Sequence, residues 1–589
     1  MMDEFFPIGV TYRASLPKDE RTSDLDEIAD AGFNCIRIYA GMRKPDDLDQ
    51  VLALASERDL KLLVTLDYQY TAVGSAEPCM ESTLFDQGME EFFHHRVEQF
   101  VKNPAVAAWV VPIPNPSDVD FEEVALRAIR AVDPDRPIII ESQEAPGKAT
   151  GPVGISCRIS DLPPIGSAVP WQKERYIGYM LRRAASVSNG TGAIAMSLQA
   201  GPSSEWVDFS PEDVGISIWT ALANGARGLI FDRWDPGEVP TRDGSIKTID
   251  GKCWHGLKRI MADIRRIFEL PGLMRGRPVQ AAAAVLAPSS ILIPPPIGRI
   301  EGAYRLLADN FVSVAFLDDS SLYEDLNRYS VVYIPYLPSC SEQLGAALIR
   351  YVQDGGCLIA EAPVATTDEE GKPYSEAPGV GLSELFGCKV RNEFTEKSTP
   401  VATTGIAQGV FTYVGANLRF YVDGPAQTVD VQAGRSSITE FLDEKTLIPS
   451  GPAVIIGKYG EGKTCYIAAS LSSAYYGMEH PYPRELISGV LDWFECPRQV
   501  EVTGLTKGFE NEFEVGVIEE IDHSNRRAII CINHADRSVN PTLVLKTGPA
   551  SVVRELITDT NVQTSIDADR LHIPTHVPER DVRVYYEIE

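Results

Sequence analysis

Eight short apolar segments alternate with helical patterns between residue 5 and about residue 275, and this alternation constrains the fold more than any other feature. The segments are Phe6–Tyr12, Phe33–Tyr39, Leu62–Tyr68, Ala105–Pro112, Pro137–Ser142, Gly154–Ser160, Gly192–Gln199 and Gly228–Trp234. Each is a near-continuous apolar run, the pattern of a parallel strand covered on both faces. Between them, Asp46–Arg58 gathers Leu48, Val51, Leu52 and Ala55 on one helical face. Met89–Val101 does the same with Met89, Phe92, Phe93, Val97 and Phe100. The first helical pattern stops at Ala31-Gly32, and glycine accepts the left-handed backbone that ends a helix. Eight strands, each followed by a helix, predict a (β/α)8 TIM barrel over residues 1–276.

Two further blocks follow. Residues 277–497 carry the apolar strands Ala281–Ala287, Val312–Leu317, Val331–Tyr336 and Cys357–Glu361, separated by helical patterns at Glu301–Asn310 and Glu342–Asp354. This predicts an open α/β domain, similar to glutamine-amidotransferase-like folds. The tract Pro294-Pro295-Pro296 can continue neither a helix nor a central strand. In residues 498–589, short runs at Val500–Leu505, Phe513–Ile518, Ala528–Asn533, Thr542–Lys546 and Val582–Glu587 lie between Asp, Asn, Gly and Pro clusters. That spacing predicts a small antiparallel β-sandwich.

Composition narrows the function. The formal net charge of −29 repels phosphate backbones and anionic lipid, and no basic patch offsets it. Nucleic-acid and membrane partners are therefore not expected. Apolar runs such as Ala281–Val285 fall far short of the ~20 residues of a membrane helix. Ten cysteines are scattered without a CxxC pair, several inside apolar strands, which suits reduced buried thiols rather than a disulfide or zinc framework. The N-terminus has no basic region followed by a long apolar core. A cytoplasmic protein without metal or cofactor is expected.

Barrel, open α/β sheet and β-sandwich in that order resemble the glycoside hydrolases of family 42, the β-galactosidase type. Ser197-Leu-Gln-Ala-Gly-Pro202, the helix and strand Ile218-Trp-Thr-Ala-Leu-Ala-Asn-Gly-Ala-Arg-Gly-Leu-Ile-Phe231, and Arg233-Trp234 look like that family's last two barrel strands. Tyr329-Ser-Val-Val-Tyr-Ile-Pro-Tyr-Leu337 and Tyr351-Val-Gln-Asp-Gly-Gly356 look like its middle domain. The barrel is shorter than is typical of the family. The resemblance implies a carbohydrate or glycoside ligand and a homo-oligomer, trimer or dimer, formed through the middle domain.

The resemblance also implies an acid/base glutamate after an asparagine at the end of strand four and a nucleophile glutamate ending strand seven. Strand four reads Trp109-Val-Val-Pro-Ile-Pro-Asn-Pro116. Alignment on the Trp puts Ile113-Pro114 at the Asn-Glu pair, and alignment on the Asn puts Asn115-Pro116 there. Strand seven supplies Ser197. Glycoside cleavage normally needs two carboxyl groups, roughly 5–5.5 Å apart for retention and about 6.5–9.5 Å for inversion. Without them, each ~1.4 kcal/mol of lost transition-state stabilisation is tenfold in rate. The expectation is a carbohydrate-binding or scaffold protein without standard hydrolysis.

Arg37 resembles the arginine that orients the nucleophile, and Trp234 the tryptophan platform beneath the sugar. With Asn115, Ser197 and Gln199 they form the expected ligand site. The alternative is a hydrolase with relocated acids. Asp67, Glu141, Asp161 and Asp232 end strands, and Asp118 and Glu205 lie on following loops. Glu141 and Asp232 are the best pair, unless they are solvated loop acids or partners for Arg37, Arg158 and Arg233. Ser197 as a nucleophile lacks a histidine, since His94, His95 and His255 sit on helical patterns facing out of the barrel.

Gly457-Lys-Tyr-Gly-Glu-Gly-Lys-Thr464 satisfies the phosphate-loop pattern. That motif cradles phosphate only where a helix follows. Here a β-like run follows, and two strands joined by a Gly-rich turn make a hairpin. Cys340 lacks the Gly-x-Cys-x-Gly turn of an exposed nucleophile and reads as structural.

Overall fold

The fold comes from a computed structural model, described for residues 5–12, 18–40, 48–68, 82–113, 119–142, 153–156, 170–188, 192–199, 210–232, 234, 246, 251–268, 273, 276–287, 296, 298–318, 322–403, 418–478, 481–520, 526–546 and 552–588. Eight parallel strands close into a barrel in chain order. They are β1 (Ile8–Thr11), β2 (Cys35–Tyr39), β3 (Lys61–Thr65), β4 (Val106–Pro112), β5 (Ile138–Ser142), β6 (Val153–Ser156), β7 (Ala193–Gln199) and β8 (Ala226–Asp232). Outside them run α1 (Lys18–Asp30), α2 (Leu48–Glu57), α3 (Ser82–Phe100), α4 (Val119–Val132), α5 (Pro170–Val187), α6 (Pro211–Ala223) and α7 (Gly251–Phe268). The TIM barrel expected from the alternation is the observed one.

Both strand faces are apolar because each meets a different layer. Cys35, Leu63, Val110, Ile139, Ile194, Met196 and Ile230 fill the barrel interior. Ile36, Ile38, Leu62 and Val64, one residue out of phase, join the larger core beneath the helices. Gly9 leaves room inside, since a Cβ there would stand 2.4 Å from Cys35 Sγ.

The middle block forms a nine-stranded sheet whose first five strands are parallel. In spatial order these are Val314–Leu317, Ala283–Leu286, Val331–Ile334, Cys357–Glu361 and Gly462–Ile467. The open α/β half matches the expectation. The sheet then continues antiparallel through Pro449–Tyr459, the first arm of the expected hairpin, and through Ser436–Leu442, Cys388–Thr403 and Arg419–Val431, which the sequence reading did not anticipate. Those last three strands mix Thr, Ser and charged residues with apolar ones, so no clean apolar run announces them.

Within that sheet Pro449–Tyr459 and Gly462–Ile467 pair antiparallel, with Tyr459 opposite Gly462. The phosphate-loop pattern is therefore a hairpin. Lys463 Nζ donates to the Trp493 carbonyl at 2.6 Å and to Glu495 at 2.8 Å, so its charge is already engaged. Cys340 is buried, and burial pushes its thiol up to about 12.

The last block forms a four-stranded and a six-stranded sheet. The strand Arg277–Pro278, just after the barrel, pairs with Phe513–Glu519 of the six-stranded sheet rather than with the middle sheet. A buried polar cluster ties the blocks together. Ser210 and Asp213 form a capping box at the start of α6, and Asp213 also pairs with Arg580. Arg580 bonds Glu174 of α5 at 2.7 Å, and His534 lies between Glu174 at 3.4 Å and Glu514 at 2.9 Å. Glu514 also accepts from Asn224 at 2.8 Å, and Arg175 pairs with Asp309 at the C-terminal end of the helix Arg299–Ala308.

Two outcomes follow from these contacts. The Lys463→Ala variant and the native chain should both show no ATP-dependent rise in melting temperature. Burial opposes ionisation of Glu514, but the Arg175 charge and the bonds from His534 and Asn224 outweigh it and hold its carboxyl at about 2. With an ordinary value of 4.5, Glu514 stabilises the fold above that pH, and the contribution drains away as pH falls toward 2. The Glu514→Gln variant should lose about 3 kcal/mol at neutral pH and flatten this acid limb in urea unfolding measured against pH.

Candidate active site at the barrel mouth

Active sites of TIM barrels lie at the C-terminal strand ends. Period-two alternation decides which side chains reach that face. Cys35, Arg37 and Tyr39 share the inner side of β2, as Leu63 and Thr65 share that of β3 and Ile139 and Glu141 that of β5. Arg37 is only 1% exposed. Its Nη1 donates to Glu141 Oε1 at 2.9 Å, its Nη2 to Glu141 Oε2, and its Nε to Thr65 Oγ1 at 2.8 Å. The Tyr39 ring centroid lies 4.8 Å from the guanidinium carbon.

Burial disfavours the charged guanidinium, but the Glu141 carboxylate, with smaller help from Tyr39 and Asp232, raises its proton affinity above the ordinary arginine value. The planar fork matches both carboxylate oxygens, a geometry lysine could not reproduce. Glu141 is thus a partner of Arg37 across the barrel. Asp232 ends β8, half-buried, close enough for its charge to act on the same guanidinium. Asp67 is also half-buried, just past β3.

Trp234 follows β8, and its backbone N–H donates to the Thr11 carbonyl at 2.8 Å. Its ring is 1% exposed and meets Trp254 of α7 edge-on, 5.8 Å between centroids. A stacking platform needs an open face, and this ring has none. Its indole Nε1 and the neighbouring Thr11 Oγ1 are buried without hydrogen-bond partners. Trp234 packs within the hydrophobic core instead of standing as a platform.

Ser197 and Gln199 belong to β7. The strand register shifts between Ala195 and Leu198, and beyond it Gln199 lies opposite Asp232. Asn115, Pro114, Pro116, Asp118, Asp161, Glu205, Arg158 and Arg233 lie outside the described residues. His94 and His95 on α3 and His255 on α7 are exposed on the helical layer. Among the described residues no three His, Cys, Asp or Glu side chains gather as metal ligands. Sequence reasoning passed over Thr11, Tyr39 and Thr65. The signal was present, since Tyr39 is two residues beyond Arg37 and Thr65 is its partner in register across β2 and β3.

Residues 300–478 match the family model described as the beta-galactosidase trimerisation domain. No curated protein matches the chain in sequence. In structure, the β-galactosidase from Rahnella sp. R3 superposes with TM-score 0.76 at 13% identity, covering 99% of each chain. The β-galactosidase from Bacillus circulans sp. alkalophilus gives TM-score 0.75 at 11% identity over 100% of each chain. Alpha-L-fucosidase isoenzyme 2 from Paenibacillus thiaminolyticus gives 0.72 at 11% identity, covering 99% of this chain and 100% of that one. The chain has the fold of the family-42 β-galactosidases throughout, as the resemblance implied.

Removing one member of the Arg37–Glu141 pair strands the other's charge in the barrel. The Arg37→Met variant should lose about 3 kcal/mol in denaturant unfolding. The double variant Arg37→Met with Glu141→Leu should recover most of it, because apolar replacement removes both desolvated charges.

Proposed function

We propose that this chain is a carbohydrate-binding protein on a β-galactosidase-type scaffold, without ordinary glycoside hydrolysis. The observation that carries the reading is the engagement of Glu141 with Arg37 through both oxygens. A general acid must hold a proton to give, and a nucleophile must present a lone pair to the anomeric carbon. A carboxylate whose two oxygens are both engaged by a guanidinium fork is poorly placed to act as the general acid. Ser197 and Pro114 or Pro116 stand where the family resemblance expects glutamates.

Binding asks less of the site than cleavage does. Thr11 Oγ1 and Trp234 Nε1 are buried and unpartnered, and unsatisfied polar groups are costly unless a ligand or water meets them. Arg37, Asn115, Ser197, Gln199 and Trp234 are the proposed ligand contacts. The match over residues 300–478 supports a homo-oligomer, trimer or dimer, through the middle domain. Among the described residues no helix is long and apolar enough to cross a membrane. Seven described cysteines are free and buried, which supports a reducing, cytoplasmic setting.

A second reading, a hydrolase using Glu141 and Asp232, draws on the fact that both charges act on Arg37 at one mouth. Titration calorimetry against galactosides and oligosaccharides, run beside a chromogenic galactoside assay, separates the readings. Heat without turnover is the expected result. Turnover abolished by Glu141→Gln would establish the relocated-acid enzyme instead, and silence in both would leave scaffolding.

A further inference from the structure

Where the barrel helices, the middle sheet and the C-terminal sheets meet, the packing leaves a cavity of about 20 Å³. Its polar lining comes from Arg175 and Arg182 of α5, Asn224 at the end of α6, Tyr304, Gln499 and Glu514, and small apolar side chains complete the wall. Polar groups withdrawn from water need partners, and most of this lining has them. Asn224 is saturated. Its Oδ1 accepts from Arg182 Nε and from the Tyr304 hydroxyl, both at 3.2 Å. Its Nδ2 donates to the Thr220 carbonyl at 2.9 Å and to Glu514 Oε1 at 2.8 Å. Arg175 is held by Asp309 and by the Asn511 carbonyl.

Two groups in the wall are left incomplete. Gln499 Nε2 donates to the Val515 carbonyl at 2.8 Å, which fixes which end of the amide is nitrogen. Its Oε1 is buried and finds no partner among the described residues. Arg182 spends Nε on Asn224, and its two terminal nitrogens bond no other described residue. An acceptor without a donor and N–H donors without an acceptor therefore line one small space.

We propose that this cavity is the site of a single ordered water, which donates to Gln499 Oε1 and accepts from a terminal N–H of Arg182. A buried water needs about 10–15 Å³ and roughly two to four polar partners, so the space suits one molecule. Glu514 Oε1 accepts from Asn224 and has capacity for the water's second hydrogen. Ions fit the lining poorly. A cation could not accept from Arg182 and would meet two guanidinium groups. A halide could accept from Arg182, but it would leave Gln499 Oε1 without a donor and would stand beside the Glu514 carboxylate. A species that both donates and accepts satisfies both groups, and the volume excludes anything much larger than water. The Gln499 backbone N–H donates to the Phe311 carbonyl at 3.0 Å, so the water joins α5 of the barrel to the connection that enters the C-terminal block. This site is independent of the carbohydrate-binding reading.

Crystals of the full chain, diffracting well enough to show ordered waters, test the proposal, with a second set soaked in sodium bromide and recorded at the bromine edge. The native crystal should show one peak within about 2.7–3.2 Å of both Gln499 Oε1 and an Arg182 terminal nitrogen. The bromide data should show no anomalous signal there. The Gln499→Met variant keeps the side-chain length and loses the acceptor, and the peak should disappear from it. A native cavity without the peak, or an anomalous signal marking an anion, overturns the proposal. A water holding its place in Gln499→Met overturns it as well. The native crystal decides occupancy by itself, so a variant that fails to fold does not leave the question open.

Discussion

A charged fork inside a closed barrel is the constraint from which the character of this mouth derives. Arg37 cannot be left alone at 1% exposure, because an unpaired buried guanidinium is costly to desolvate. Glu141 meets it with both oxygens and Thr65 with a hydroxyl, and the three come from the ends of β5, β2 and β3. The pairing fixes a plane among the inner strand ends and holds the Arg37 guanidinium against the Tyr39 ring.

The same accounting explains the domain junction. Glu174, Glu514, His534, Arg580, Asp213 and Asn224 come from α5, α6, the C-terminal sheets and their connections, and each bonds another member of the cluster. Buried polar groups that satisfy one another specify a single docking arrangement more sharply than an apolar face could. The strand Arg277–Pro278 adds a backbone link by pairing with the C-terminal sheet directly after the barrel. Two polar clusters thus link distant parts of the chain, one at the mouth and one at the domain junction.

Fold class was legible in the chain because parallel buried strands leave long apolar runs, and β1 to β8 fall within or beside the eight segments read from them. The antiparallel extension of the middle sheet was not. Cys388–Thr403 and Arg419–Val431 carry Lys, Arg, Glu, Thr and Asp among their apolar residues, so periodicity gives no clear signal there. The hairpin at Gly457 to Thr464 was legible, since a β-like run where a phosphate loop needs a helix is a local property.

The sequence by itself determined the barrel and the order of the blocks, because residue identity and local periodicity need no long-range contact. Only the tertiary structure decided that Arg37 meets Glu141, 104 positions away, and that Trp234 is closed over by Trp254. Those outcomes depend on which strands become neighbours across the barrel axis. Barrel closure sets that distance, and no stretch of chain encodes it locally.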